Sequence, residues 1–440
     1  MSEKKKKKNV VFDLPEDIIV KILCRLPVKT LIRFTCVSKR WRSIVSSDPQ
    51  FAKSQLNLAS QQKALCHRFL VSILSLLEAH IQCRCDFLDS SVKKAALSQL
   101  HTKFRTLDLE APTQFGNASS VKILSSPFDG LVRPMATCNG LVILGDVHCT
   151  NLSIWNPSTA FFRKIPDPGI WAKMTTKNGN RRWAVFVCCG FGYVSATDDY
   201  KFVILLHDLP FLLGVHIFSV RDNSWKIVQV PGIHDDWIFS SKGVLSNEVL
   251  HWITENRTNE LVISAFDLAE EEFQKESLLF PADVDCNIYD PDYNIRDPWK
   301  RIELGCLDGC LCIHSLNTKA GGDIEVWVLR EYRVLESWIK LSKFSVDDIP
   351  GVFVSQIPLF QFFVSESGTA FINSDFKELV RIECHKEEKP VLSGQYKIEK
   401  WEPLNLGLWE QILESFRKEK EDANFFSVMF YDETLVSVPE

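Results

Sequence analysis

Residues 12–47 read FDLPEDIIVKILCRLPVKTLIRFTCVSKRWRSIVSS, and this stretch decides how the chain begins. Asp13 is placed to cap a helix, Pro15 sits near its first turn, and Glu16 and Asp17 favour its positive end. Ile18, Ile19, Ile22, Leu23 and Leu26 then recur at helical spacing and make one apolar face. Pro27 stops that helix. A second short helix carries Leu31, Ile32 and Phe34. Ser38 can cap a third, whose Trp41, Ile44 and Val45 share a side, and Asp48-Pro49 ends it. Three short helices in about 36 residues cannot bury so many large apolar groups among themselves. Some of Ile18, Ile19, Ile22, Leu23, Leu26 and Leu31 should stay exposed, as a partner site would, unless the face packs on the domain that follows.

Charge separates this head from the rest. Residues 1–55 hold 13 Lys and Arg against 5 Asp and Glu, a balance of +8, and the other residues hold 38 against 51, a balance of −13. The two sum to the −5 of the 440-residue chain, so head and body are expected to face different partners. A basic head alone would suit nucleic acid, but its apolar helical pattern points to protein. Lys4 to Lys8 read either as a nuclear address or as a disordered, solvated tail. No apolar run follows them, so no secretory signal is expected, and the 14 cysteines should stay reduced in nucleus or cytoplasm. Cys188 and Cys189 lie in an apolar run, where Cys behaves as a small buried hydrophobe. The longest apolar stretch, Phe69 to Leu77, is about half of a membrane span, so no membrane partner is expected.

Residues 56–110 carry competing signals. Helix and strand patterns overlap in Leu65 to Ile81, and Ser90 to Lys103 looks helical. The stretch 56–119 is read as a link into the body. From about residue 120, short β-prone runs alternate with Gly, Pro, Asn and Asp, which marks an all-β domain. One unit recurs: an apolar strand, a polar turn and a strand that opens on an aromatic. LSIWNPSTAFFRKIP starts at Leu152, VHIFSVRDNSWKIVQVP at Val215, LVISAFDLAEEEFQKES at Leu261 and DIEVWVLREYRVLESWIKL at Asp323. LVRIECHKEEKPVLSG, from Leu379, is a weaker copy without the aromatic. Phe162, Trp225, Phe273 and Trp338 lie 63, 48 and 65 positions apart, near the repeat of propeller blades. A single hairpin is marginal in water, so the repeats must pack on one another.

The head resembles an F-box of the form common in plant proteins. The match runs through Leu14-Pro15-Glu16-Asp17, Ile22-Leu23-Cys24-Arg25-Leu26-Pro27-Val28-Lys29, Leu31, Arg33-Phe34 and Val37-Ser38-Lys39-Arg40-Trp41. The resemblance implies a clasp for a Skp-type adaptor, which hangs on a cullin scaffold. It assigns the adaptor contact to Leu14, Pro15, Ile18, Ile22, Leu23, Leu26, Pro27 and Leu31, and internal packing to Val37 and Trp41. The family's adaptor is acidic, which suits a +8 head and would speed encounter. The body is similar to the F-box-associated, kelch-like domain of the same plant proteins. It carries Cys138-Asn139-Gly140-Leu141, Trp155-Asn156-Pro157-Ser158-Thr159, Gly190-Phe191-Gly192-Tyr193 and Asp198-Asp199-Tyr200-Lys201. Asn223-Ser224-Trp225, Leu250-His251-Trp252, Phe266-Asp267-Leu268, Leu304-Gly305 with Cys310-Leu311-Cys312, Glu336-Ser337-Trp338 and Leu435-Val436-Ser437 follow in order. Two features depart from the family, the long 56–110 stretch and a long polar loop from Pro281 to Trp299. Targets vary widely in this family, so the resemblance names none.

Chemistry of other kinds is weakly signalled. Cys306, Cys310, Cys312 and His314 lack the second ligand pair of a structural zinc site, and the last three alternate on an apparent strand. Asp290, Asp292 and Asn294 begin like a calcium loop, but Ile295 and Arg301 stand where Gly and Glu are required. Gly190-Phe191-Gly192 lacks a third glycine and reads as a turn between strands. Neither a Gly-x-Ser-x-Gly elbow nor a zinc-binding His-Glu pair is present. No metal, cofactor or catalytic residue is expected. Target contacts are expected in loops, with Phe211-Leu212-Leu213, Trp237-Ile238-Phe239 and Phe360 to Phe363 as candidates that would serve equally as core.

The expected architecture is α+β and multidomain: a basic tail over 1–10, a three-helix F-box over 11–55, a link over 56–119 and a β-propeller-like domain over 120–440. The expected function is a non-catalytic substrate receptor of a ubiquitin ligase. Its rivals are an interaction protein that promotes no ubiquitination and a propeller enzyme, which would need converging carboxylates or metal ligands.

Overall fold

The computed structural model describes residues 14–75, 102–109, 121–127, 132–146, 151–169, 185–208, 211–228, 237–238, 242–256, 260–284, 289–290, 295–296, 300–317, 323–345, 361–364, 369–374, 378–383, 391–397 and 424–438. Four helices come first: α1 (Glu16–Leu23), α2 (Val28–Phe34), α3 (Lys39–Ser47) and α4 (Pro49–Gln61). The N-cap of α1 is Pro15, with no side-chain cap, and Asp13 lies outside the described residues. Ser38 caps α3, its hydroxyl accepting from the Trp41 amide at 3.1 Å. Asp48-Pro49 ends α3 as expected, and it also starts a fourth helix. The Asp48 carboxylate accepts from the amides of Gln50 and Phe51, and Pro49 needs no donor at the first helical position.

Where it is described, the stretch read as a link belongs to these helices and to the β domain. Helix α4 runs to Gln61, and strands His67–Ser75 and Lys103–Asp108 pair antiparallel. The helical expectation for 90–103 falls outside the described residues except at Thr102 and at Lys103, which opens a strand. Strand His67–Ser75 also pairs along its length with the late strand Asn424–Asp432. The first sheet is therefore made of both ends of the chain: Asn424–Asp432, His67–Ser75, Lys103–Asp108 and Val121–Leu124. The pattern was hard to read because the first strand finds its partner more than 300 residues away.

Five further sheets of four or five strands follow in chain order among the described residues, besides one two-stranded hairpin. The second holds Arg133–Cys138, Leu141–Gly145, Leu152–Asn156 and Phe161–Ile165. The third holds Val185–Val194, Asp199–Asp208, Phe211–Ser219 and Ser224–Val228. The fourth is built on Val249–Glu255 and Leu261–Asp267, with short strands Trp237–Ile238, Val244–Ser246 and Glu272–Phe273 at its edges. The fifth holds Lys300–Leu307, Cys310–Asn317, Asp323–Leu329 and Trp338–Ser345. The sixth holds Gln361–Val364, Thr369–Ser374, Glu378–Glu383 and Val391–Lys397. The recurrent hairpin in the sequence is the outer half of a four-stranded sheet. The polar stretch after Pro281 contains a two-residue hairpin, Tyr289–Asp290 with Ile295–Arg296, where the calcium-like residues begin.

Phe162, Trp225 and Phe273 occupy the same register, each seven residues after its partner, and Trp338 stands nine after its own. Phe162 lies opposite Trp155, Trp225 opposite Phe218, Phe273 opposite Phe266 and Trp338 opposite Leu329. The two tryptophans do more. Trp225 Nε1 donates to Pro166 O at 2.7 Å and Trp338 Nε1 to Leu279 O at 3.2 Å, in both cases reaching the segment that leaves the preceding sheet. A tryptophan at this position thus ties one sheet to the last through its indole N–H, half-buried at Trp225 and buried at Trp338.

The sheets pack face to face. Leu70, Phe104 and Tyr431 of the first sheet meet Val142, Leu144 and Trp155 of the second. Leu141, Ile143 and Ile154 meet Phe191, Phe202 and Ile204 of the third. Cys188, Val203 and Val215 meet Leu250, Trp252 and Phe266 of the fourth, whose Ile253 and Ile263 meet Leu311, Ile313 and Trp327 of the fifth. Gly190 and Gly192 lie inside a strand, not in a turn. A Cβ on Gly190 would stand 2.7 Å from Leu250, and one on Gly192 2.3 Å from Leu268, so the missing side chains let the fourth sheet approach.

Candidate functional site

The helical head divides its apolar residues between two faces. Ile19, Leu23, Cys24, Val28, Leu31, Ile44, Val45, Phe51 and Ala52 form a core, with Trp41 and Phe34 packed against it. Leu14, Ile18 and Ile22 are exposed at 52%, 37% and 48%, the last two on the outward side of α1 and Leu14 just ahead of its N-cap. Ile18 and Ile22, four apart, lie above one another on the helix, and Leu14 extends this exposed apolar surface from the segment that leads into it. Pro15 and Pro27 are exposed beside it, and Leu26 is half-buried. Leu26 falls after the end of α1, and its carbonyl accepts from Gln55 Nε2 at 3.4 Å. Of the eight residues assigned to the adaptor contact, Leu23 and Leu31 are thus buried in the head's own core. Val37, assigned to internal packing, is 62% exposed, because it lies in the turn between α2 and α3. Exposed Lys21, Arg25, Lys29 and Arg33 flank this apolar surface, with Glu16 and Asp17 as the acidic residues at its start. Glu16 pairs with Arg40 at 3.5 Å and Asp17 with Lys21 at 3.9 Å; both pairs are solvated and contribute well under about 1 kcal/mol each.

The body's sequence signatures have structural work to do. Asn156 Nδ2 donates to the carbonyls of Thr434 and Val436 at 3.1 and 2.8 Å, while its Oδ1 accepts from the Ser158 amide at 2.8 Å. Thr434 Oγ1 donates to Asn139 O at 2.8 Å. Gly140 has a φ of +78°, and a Cβ there would stand 2.3 Å from Thr434 Oγ1 and 2.6 Å from Asp432 O. The C-N-G-L and W-N-P-S-T motifs therefore hold the end of the chain. Gly140→Ala is expected to lower stability by about 2–3 kcal/mol, from left-handed backbone strain and contact with an unyielding carbonyl. Urea unfolding measures this, and a midpoint equal to wild type would contradict it.

The third sheet reaches the head through its first turn. Lys53 of α4 donates to both carboxylate oxygens of Asp198, and Tyr193 Oη donates to one of them at 2.6 Å. The hydrogen bond from Lys53, then that from Tyr193, holds the Asp198 carboxyl below its ordinary range.

Most cysteines among the described residues are buried or half-buried, with Cys36 and Cys306 exposed. Cys310, Cys312 and His314 alternate along Cys310–Asn317, and Cys306 is exposed on the neighbouring strand. No cluster of three or more His, Cys, Asp or Glu suited to a metal ion occurs among the described residues. Burial pushes up the thiols of Cys138, Cys188, Cys189 and Cys312, which makes them poor nucleophiles. The candidate target segments sit on strands: Phe211-Leu212 pairs with Asp208 and His207, Trp237-Ile238 with Glu255 and Thr254, and Phe362-Phe363 with Ile372 and Phe371. Phe239 and Phe360 lie outside the described residues. No helix among the described residues is long and apolar enough to cross a membrane.

A helical clasp followed by packed four-stranded sheets defines a docking module joined to a recognition scaffold. Comparison with known families agrees in order and extent. Residues 11–53 match the F-box domain, and residues 104–433 match the F-box associated beta propeller domain. The chain belongs to the F-box proteins that carry this propeller. Among its relatives in Arabidopsis thaliana, F-box protein CPR1 is 28% identical over 349 residues, covering 74% of this chain and 72% of the relative. An F-box/kelch-repeat protein of the same plant is 26% identical over 336 residues, covering 75% and 79%. An F-box with a β-propeller implies, in general, the role of a substrate receptor in a Skp–cullin–F-box ligase, and F-box domains imply binding of a Skp-type adaptor.

Proposed function

We propose that this chain is the substrate-recognition subunit of a Skp–cullin–F-box ubiquitin ligase. The stripe of Leu14, Ile18 and Ile22, edged by Pro15, Leu26 and Pro27, takes the Skp-type adaptor and through it the cullin scaffold. Leu23 and Leu31 serve the same contact from behind, by fixing the helices that carry it. The propeller holds a target protein, which is then ubiquitinated and degraded. The chain performs no bond chemistry in this scheme. It raises the concentration of target beside the transferring enzyme. It acts in the nucleus or cytoplasm.

One observation carries the reading: two large aliphatic side chains stand exposed in line on a helix whose inner face is already packed, and a third, Leu14, is exposed just ahead of it. An exposed apolar row of this kind stays soluble in use only when a partner covers it. The basic rim favours an acidic partner and would quicken its arrival. The test is capture of a purified Skp-type adaptor by the wild-type chain and by the Leu14→Ala, Pro15→Ala double variant. Wild type is expected to bind and the variant to lose at least tenfold in affinity. Equal binding by both would remove the stripe from the interface.

A further inference from the structure

Residues 433–438 follow the last strand and touch both parts of the molecule. Leu435 is buried in the helical core beside Leu23, Leu31, Val45 and Phe51. Its neighbour Val436, with Val438, is buried in the other direction, among Leu141, Ile154 and Phe202 of the second and third sheets. The carbonyls on either side of Leu435 are gripped by Asn156, as described above. Successive residues of one short strap thus enter two different cores. Helix α4 has the same divided character. Phe51 and Ala52 belong to the helical core, Leu56 belongs to the core between the second and third sheets, and Lys53 binds Asp198.

We propose that this strap is a brace that completes the F-box core and locks its docking stripe to the propeller. Until strand Asn424–Asp432 pairs with His67–Ser75 and so closes the ring of sheets, Leu435 is not in place and the helical core lacks one wall. Ring closure and adaptor competence are thereby linked. The closing strand supplies the anchor: His67 Nδ1 meets Asp432 Oδ1 at 2.7 Å, Arg68 Nε meets Glu433 Oε1 at 2.5 Å, and the Glu433 amide donates to Cys66 O at 2.8 Å. These contacts place the strap at a fixed point immediately before Leu435. The link to docking rests on the adaptor reading given above, whereas the brace itself rests on the contacts alone.

Hydrogen exchange of the full chain separates the two. In Leu435→Ala, amides of α1 and α2 are expected to exchange at least about tenfold faster than in wild type, because a buried leucine has been removed from their core. Strands Leu141–Gly145 and Asp199–Asp208 should exchange as before. Leu435→Met, which keeps the volume, should restore slow exchange in the helices. Unchanged helices would overturn the brace, as would equal acceleration of helices and sheets. If Leu435→Ala does not accumulate as folded protein, Leu435→Val is read in the same way with an acceleration of about threefold. Adaptor capture is measured beside exchange. Capture by wild type with loss in Leu435→Ala supports the link, and equal capture by both overturns it. Failure of wild type to capture the adaptor would defeat the docking reading and leave the exchange result to decide the brace.

Discussion

Replacing Ile18 and Ile22 together by glutamate is expected to abolish adaptor capture while moving the unfolding temperature by no more than about 3 °C. Both side chains are exposed, and glutamate is a good helix former, so the free chain loses little. Docking loses much more. Each isoleucine keeps between a third and a half of its surface exposed, so covering one is worth about 0.5–1.5 kcal/mol, and two of them account for about tenfold to a hundredfold in affinity. The glutamates would also set negative charge against an acidic partner. The buried pair should behave in the opposite way. Leu23→Ala and Leu31→Ala each empty part of a packed core and should cost about 2–5 kcal/mol of helix stability before any partner is present. Melting curves followed by circular dichroism, together with adaptor titrations, distinguish these outcomes. Wild-type affinity in the double glutamate variant would refute the stripe. Unaltered melting of Leu23→Ala would refute the division into two faces.

That division is also where the sequence was least informative. Period and spacing place Ile18, Ile19, Ile22, Leu23 and Leu26 on one broad helical face. Which part of a broad apolar face turns inward depends on what packs there, and one of the packing groups is Leu435, more than 400 residues downstream from Leu31. Local pattern carries no trace of such a partner. The same limit explains residues 67–108. Their strands were ambiguous because the first pairs with residues 424–432. Where partners are near in sequence, reading was easier. The aromatic that opens the outer strand of each repeat lies directly across from its hairpin partner, so its recurrence reports a real register. Asp48-Pro49 was a half-success. A capping residue followed by proline can close one helix and open the next, and here it does both.

Acid should weaken the propeller earlier than its carboxylates alone would allow. His251 is buried between the fourth and fifth sheets, with Nε2 2.8 Å from Tyr332 Oη and Nδ1 3.2 Å from Val244 O. A carbonyl only accepts, so Nδ1 carries the proton, and Nε2 accepts from the tyrosine. The ring is satisfied when neutral. Burial pushes its pKa down from 6.5 to about 4, and burial does the same to His314 in the fifth sheet. The sign follows from which state takes the proton. Above about pH 6.5 both histidines are neutral in folded and unfolded chains alike, and stability does not change on their account. Between about 6.5 and 4 only the unfolded chain takes up protons, so stability falls as pH falls. The slope approaches about 1.4 kcal/mol per pH unit for each histidine, and the loss reaches on the order of 3 kcal/mol for each near pH 4. Asp198, Glu271 and Glu325, whose carboxyls are held below their ordinary range, lose their contribution only at lower pH, so the interval from 6.5 to 5 reports the histidines. The unfolding midpoint in urea should therefore drop steadily from pH 7 to pH 5. In His314→Gln the slope should fall by about the equivalent of one proton, since glutamine does not titrate. A midpoint that stays flat from pH 7 to 5 would show that these two rings are not held neutral by the fold.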